Sequence, residues 1–299
     1  MAIAEYAPTR IGENAGARDE LRRNGTHHDP HSPDENERAN GSQSPSRNGV
    51  PTDLSALRLA VSRPMSREEA RPANRVLAGL PFDCWARISP HLKRCLIFSG
   101  QVLHESGERA GRIYFPNSGL ISLVKHQGRH QIEVAMAGRE TFLSALCVLQ
   151  NHDVSPLRVI AQTPGTAFWL PQNVLRQEFE RDSLIRGLVL QHAAWLMEQM
   201  AQSALCCCAH TVEERLSRWL LNARDRLNSD EICVTHAAIA QMLGVRRSGV
   251  TMTLCAFAQQ GLLRTARGRI LIENAAGLEQ RACSCREALY SPSQKLSTL

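Results

Sequence analysis

Three spacings of apolar residues divide this chain. Between Arg18 and Thr52, Leu21, Ala39 and Val50 are the only Ala, Val, Leu, Ile or aromatic residues amid Asn, Ser, Gly, Pro and charges. Such a stretch cannot bury enough surface to offset the entropy of ordering it, so residues 1–72 are expected to form a solvated tail. From Ala73 the pattern predicts two short helices, 74–80 and 82–88, and then brief β-type runs at 96–98, 113–115, 120–125, 131–136, 158–161 and 167–170. Turn signals such as Ser99-Gly100, Pro116-Asn117-Ser118-Gly119 and Thr163-Pro164-Gly165 break these runs. Strands this short at such regular spacing argue for a small antiparallel barrel or roll.

After Pro171 the turns stop and helical spacing takes over at 172–180 and again at 183–208. In the second helix Leu190, Ala194, Met197, Ala201 and Ala204 recur at alternating steps of four and three, which makes one continuous seam. Ile185, Val189, Leu196 and Met200 add a neighbouring stripe. One surface can cover the roll. The other suits the same helix of a second copy, because a self-complementary seam generates a twofold dimer. Thr211-Val212-Glu213-Glu214 reads as a capping box opening a further helix with Leu216, Trp219, Leu220, Ala223 and Leu227 on one face. A cap amid so much helical sequence marks a hinge and a domain boundary.

Residues 235–245 form a short helical pattern stopped by Gly244, and residues 246–260 continue at once as a second helix. So short a connection forces a steep crossing. Ala240 permits close approach, Gly244 supplies a turn with positive φ, and Ile239, Leu243, Val245, Val250 and Leu254 face inward. Residues 262–265 and 269–272 flank Ala266-Arg267-Gly268 as a hairpin wing. Between Thr235 and Ile272 stand five arginines, Arg246, Arg247, Arg264, Arg267 and Arg269, and no carboxylate. A surface of that kind is built to sit against phosphates.

Composition narrows the classes further. The 299 residues are 43% hydrophobic, enough for one or two cores, and the net charge of +6 suits a nucleic-acid partner. No run of about 18 uncharged apolar residues and no secretory signal pattern are found, so a cytoplasmic protein without membrane association is expected. In that reducing compartment the 10 cysteines are read as thiols. No phosphate-cradling glycine loop, spaced metal-ligand quartet or nucleophile elbow is apparent, which argues against an enzyme. The fold class expected is α+β: an N-terminal antiparallel roll over 73–172, a helical region with a dimerisation helix over 173–210, a winged helix-turn-helix over 211–285 and a tail over 286–299.

This order of roll, long helix and winged helix-turn-helix resembles the Crp/Fnr family of bacterial transcription regulators over roughly residues 73–285. The segment 114–122 (Tyr-Phe-Pro-Asn-Ser-Gly-Leu-Ile-Ser), with Gly244-Val245-Arg246-Arg247 and Ala282-Cys283-Ser284-Cys285, resembles one large branch of it. The resemblance implies a cyclic-nucleotide-binding-like roll, a homodimer on a palindromic duplex operator, and RNA polymerase as a further partner. It places base contacts on Arg247, Ser248 and Met252. Arg247 can donate to guanine O6 and N7, whereas Met252 offers only apolar contact. Thr251 is a third polar candidate, and Arg246, Arg267 and Arg269 are expected on phosphates.

The resemblance also implies where a cyclic nucleotide would be held, and there the sequence departs from it. The ribose-binding Glu falls near Ser144 and the phosphate-binding Arg near Pro156. Glu140 and Arg158 are shifted substitutes, and the adenine-facing positions, Met200 and Ala201, carry no hydroxyl. Cyclic AMP is therefore not expected as the effector, and no cofactor is assigned. No metal is expected either: three consecutive cysteines, Cys206-Cys207-Cys208, point about 100° apart on a helix and cannot all ligate one ion. Packing as small apolar residues is the favoured role for them and for Cys283 and Cys285, with a thiol switch left open. His27, His28 and His31 are clustered without a fixed scaffold. The alternative function is a cyclic-nucleotide or redox sensor acting through a protein partner, which would leave the arginine-rich helix-turn-helix unexplained.

Overall fold

The computed structural model describes residues 72–288 except 129 and 150–153, so the expectations for the N-terminal tail, its histidines and the last residues lie outside the described residues. Asn74 caps α1 (Arg75–Ala78) by accepting from the Leu77 amide at 3.1 Å, and α2 (Phe82–Ile88) follows. The roll then runs through β1 (Lys93–Ile97), β2 (Val102–His104), β3 (Arg112–Pro116), β4 (Ile121–Gln127), β5 (His130–Ala137), a short α3 (Leu146–Leu149), β6 (Arg158–Ala161) and β7 (Gly165–Pro171). All pairs are antiparallel, in two sheets ordered β1-β7-β3 and β2-β6-β4-β5. β2 escaped the sequence reading because three half-buried residues interrupted by a bulge carry no alternation. Gly119 and Gly165 let the β3–β4 turn cross the start of β7, since a Cβ at 165 would stand 2.2 Å from the Ser118 carbonyl oxygen.

Past β7 the helical segments stand where the spacing predicts them: α4 (Gln172–Arg181) and α5 (Ser183–Ala209). Asp182 caps α5 by accepting from the Leu184 and Ile185 amides. The helix is apolar on two sides. Ile185, Val189, Trp195 and Leu196 are buried against the roll. Leu190, Ala194, Met197, Ala201 and Ala204 are all exposed along the opposite side, Met197 at 61%.

Thr211 and Glu214 form the expected capping box at the start of α6 (Val212–Leu227), and His210 and Thr211 are the two extended residues between α5 and α6. The remaining elements are β8 (Glu231–Ile232), α7 (His236–Leu243), α8 (Arg247–Gln259), β9 (Leu263–Ala266), β10 (Arg269–Ile272), α9 (Ala275–Glu279) and α10 (Cys285–Ala288). β8 extends the wing into a three-stranded sheet ordered β8-β10-β9. One correction concerns α6. It does not bury a single face: Arg215, Ser217 and Asn222 are enclosed along with Leu216, Trp219, Leu220 and Ala223. The reason is its position between the roll and the helix-turn-helix, which also draws Leu120 and Met136 of the roll into the C-terminal core.

The joint between roll and α6 is polar at its centre. The Trp219 indole N–H donates to Glu133 of β5 at 3.1 Å, and the Ser122 hydroxyl donates to the other carboxylate oxygen. Glu133 keeps some exposure as a residue, yet protein surrounds its carboxyl. This burial pushes its pKa from 4.5 to about 7, against the opposing pull of Ser122, Arg218, Arg226 and Trp219. A carboxyl raised on folding favours the folded state while protonated, so stability is fully present below pH 4.5 and is lost as pH rises through about 7. Glu133→Gln is therefore expected to raise the melting temperature at about pH 8, to change it little at about pH 4, and to flatten the profile between. An unchanged profile would place the pH sensitivity elsewhere.

Candidate nucleic-acid interface

Two caps and one glycine set the helix-turn-helix. The Thr235 hydroxyl accepts from the Ala238 amide at 3.1 Å to start α7. Gly244 ends it in the left-handed region at φ 63°. The Val245 amide then returns to the Ala240 carbonyl at 3.0 Å, which tightens the turn before α8. Ile239, Ala240, Leu243, Val250, Leu254 and Phe257 are buried, so both helices turn their apolar sides into one core. Gly244 also seats against the roll: a Cβ there would stand 3.3 Å from Ile132 Cδ1 of β5.

The outer side of α8 exposes Arg247, Ser248, Met252, Cys255 and Gln259, with Arg246 just before the helix and Met252 exposed at 72%. Cys255 and Gln259 continue the Ser248–Met252 line by steps of three and four, a signal available in the sequence that our reading did not follow. Thr251 requires a correction. It is half-buried rather than exposed, and its hydroxyl lies 3.1 Å from His236 Nδ1 of α7, so it links the two helices. Arg246 carries no side-chain capping bond at the start of α8, and its carbonyl accepts from the Gly249 amide at 3.0 Å.

The wing is the β9–β10 hairpin, with Gly268 at φ 73° beside an exposed Arg267. Two of its arginines are less free than the carboxylate-free window suggested. Arg264 pairs with Glu273 at 2.6 Å and Arg269 with Glu231 at 3.1 Å, acids standing just outside residues 235–272. Both pairs are largely exposed, and exposed pairs contribute little, so phosphate can compete for these guanidiniums. Among the described residues Arg246, Arg247 and Arg267 have no carboxylate partner within 4 Å.

In the roll, the candidate effector residues do not converge. Glu140 is buried and pairs with Arg226 of α6 at 2.8 Å, while also accepting from the Gly138 amide at 3.2 Å. Gly138 makes room for this, since a Cβ there would stand 2.8 Å from the carboxylate. Arg158 pairs with Glu105 at 3.1 Å. Ser144 sits at φ 70° in the turn before α3. His192 packs against Phe142 with ring centres 4.4 Å apart at a 32° tilt and bonds the Thr141 hydroxyl at 2.9 Å. Burial lowers the His192 pKa to about 3, so the ring stays neutral and offers no charge to an anion. Glu140 and Arg158, the shifted substitutes for the missing nucleotide contacts, are thus each paired with another charged residue in this structure.

Comparison with known proteins gives two family matches. Residues 98–182 match the model described as a cyclic nucleotide-binding domain, and residues 214–281 the one described as a Crp-like helix-turn-helix domain. No curated protein matches the chain. Among solved structures, a crp/fnr-family transcriptional regulator from Eubacterium rectale aligns at TM-score 0.56 and 18% identity, over 68% of this chain and 94% of that one. FixK2 from Bradyrhizobium japonicum aligns at 0.56 and 16%, over 64% and 98%. A CRP-family regulator from Thermus thermophilus aligns at 0.56 and 20%, over 65% and 99%. The Eubacterium rectale and Thermus thermophilus proteins are described as transcriptional regulators, and among the described residues no helix is long and apolar enough to cross a membrane. Despite the first family match, the engagement of Glu140 and Arg158 leads us to expect no heat of binding when millimolar cyclic AMP is titrated into the chain. Saturable binding at micromolar concentration would contradict this.

Proposed function

We propose, from the premise that this chain is a DNA-binding transcription regulator of the Crp/Fnr family, that it acts as a homodimer whose α8 helices read a palindromic operator. The observation that carries the reading is the coexistence of two unpartnered surfaces: the arginine-bearing outer side of α8 with the wing, and the apolar seam of α5. Arg247 and Ser248 read base edges, with Met252 against a thymine methyl. Arg246 and Arg267 hold phosphates, joined by Arg269 once it exchanges Glu231 for the DNA backbone. Cys255 and Gln259 extend the reading side toward the end of the helix.

The seam supports the second copy. An exposed line of Leu190, Ala194, Met197, Ala201 and Ala204 would leave apolar surface in water in a lone chain, whereas its small residues allow a twin helix to approach closely. Two recognition helices about one helical turn apart, roughly 34 Å, cover enough base pairs to select a site within a genome.

Selection from random duplexes should return an inverted repeat. On that operator Arg247→Ala is expected to cost roughly 1–3 kcal/mol and to relax preference at one position per half-site. Equal loss on cognate and random DNA would reduce Arg247 to a phosphate contact. Met197→Glu would bury like charges across the twofold axis, and we expect a monomer in sedimentation with operator affinity lost. A variant still dimeric at micromolar concentration would make the seam something other than the dimer interface.

A further inference from the structure

The cysteines that the sequence reading assigned to packing are brought together by the fold. Cys206 lies in the last turn of α5, His210 in the link to α6, and Cys283 and Cys285 follow α9. One ligand atom from each of the four lies within 4.8 Å of every other. The Cys206 and Cys283 sulfurs are 3.6 Å apart, and the Cys285 sulfur is 3.5 Å from His210 Nδ1. The three sulfurs are buried in a small cluster of their own, separate from the hydrophobic cores. From these positions we propose that Cys206, His210, Cys283 and Cys285 form a Cys3His site for a thiophilic divalent cation, zinc, which clamps the end of the DNA-binding unit to the end of α5.

The Cys206–Cys283 and Cys285–His210 separations match the metal, and the remaining edges are no longer than 4.8 Å. With zinc–sulfur bonds of about 2.3 Å and zinc–nitrogen bonds of about 2.0 Å, a tetrahedral site has S···S edges near ~3.8 Å and S···N edges near ~3.5 Å. A disulfide would need the sulfurs at about 2.05 Å, and simple packing does not require an imidazole nitrogen aimed at the same point. Only one member of the consecutive triplet takes part. Cys207 is half-buried and Cys208 exposed, as the rotation along a helix dictates, while His210 comes one turn after Cys206 to the same side. The argument that three adjacent cysteines cannot share one ion holds; the expectation of no ligand quartet does not, because its members are 77 positions apart in sequence for the Cys206–Cys283 pair.

The electrostatics favour thiolates at this point. The hydrogen bond with Cys283 and the charge of Arg218 lower the pKa of Cys206, while the same shared bond raises that of Cys283. Metal binding releases the remaining thiol protons to the buffer, leaving three thiolates and a dication with a net charge of about −1. Arg218 of α6 stands beside that charge, and its buried Nε has no hydrogen-bond partner among the described residues. Its guanidinium offsets the surplus anion.

The test does not depend on DNA binding. The full chain, purified under reducing conditions without chelator, is expected to carry about one zinc per chain by plasma mass spectrometry. After metal removal, cobalt(II) should give the intense visible bands of a tetrahedral centre with thiolate-to-cobalt charge transfer, and zinc should displace it. Cys283→Ser and Cys285→Ser should lose these bands, whereas Cys207→Ser and Cys208→Ser should keep them. Circular dichroism checks folding, and the cobalt spectrum of the parent chain is decisive without any variant. Metal-free, reduced and folded protein that shows no tetrahedral cobalt spectrum would overturn the site. So would an octahedral spectrum, a spectrum retained when both Cys283 and Cys285 are replaced, or a Cys206–Cys283 disulfide in the chain as isolated under anaerobic conditions.

Discussion

The ion pair between Arg226 and Glu140 is the contact on which the placement of everything downstream depends. It joins α6 to the loop after β5 at 2.8 Å, with both side chains nearly enclosed. A charge in that position cannot be left alone: removing one partner of a buried pair typically costs about 3–5 kcal/mol, because the other stays desolvated. α6 is consequently held to the roll near its C-terminal end, while Trp219 reaches Glu133 about two turns earlier. Arg215 completes the line by donating to the Leu243 carbonyl, the last residue of α7. One helix therefore fixes the roll on one side and the helix-turn-helix on the other.

The same pair explains why the roll departs from a nucleotide-binding pattern without losing its fold. Strand order, turns and core depend on apolar positions such as Ile113, Leu120, Ile121 and Leu170, all buried here. Ligand recognition depends instead on a few charges in one loop. In this chain the charge in that loop, Glu140, is engaged by Arg226, and Phe142, His192 and Trp195 pack their rings together in the roll. A family model that weighs the framework can match residues 98–182 whatever partners those charges have.

What was legible in the sequence follows the same division. Elements with a strong period or a cap stand where expected: α5, the capping box at Thr211, α7 ending at Gly244, and the wing hairpin. These are local signals, set by neighbours within a few residues. β2 and β8 are too short to carry a period and exist through pairing with β6 and β10. Thr251 looked exposed by helical position but is claimed by His236, fifteen residues earlier. Partners of charged groups were the least legible, since Glu140 finds Arg226 and Arg269 finds Glu231 across separations that no spacing rule reaches.

A consequence for regulation lies in how α8 can move. It packs into the core shared with α6, and the turn before it seats Gly244 against Ile132 of β5, so it cannot tilt alone without opening packed surface. Motion of the recognition helix relative to α5 must then pass through the extended residues His210 and Thr211, where backbone hydrogen bonding between the two long helices is interrupted. The Cys206, Cys283 and Cys285 sulfurs surround that point. A bond among them would join the start of α6 and the end of the DNA-binding unit to the last turn of α5. Stabilising the joint at Glu133 and Glu140 acts on the roll side of α6 and constraint at His210 on its start, so the orientation of α8 is set by the balance of the two ends of a single helix.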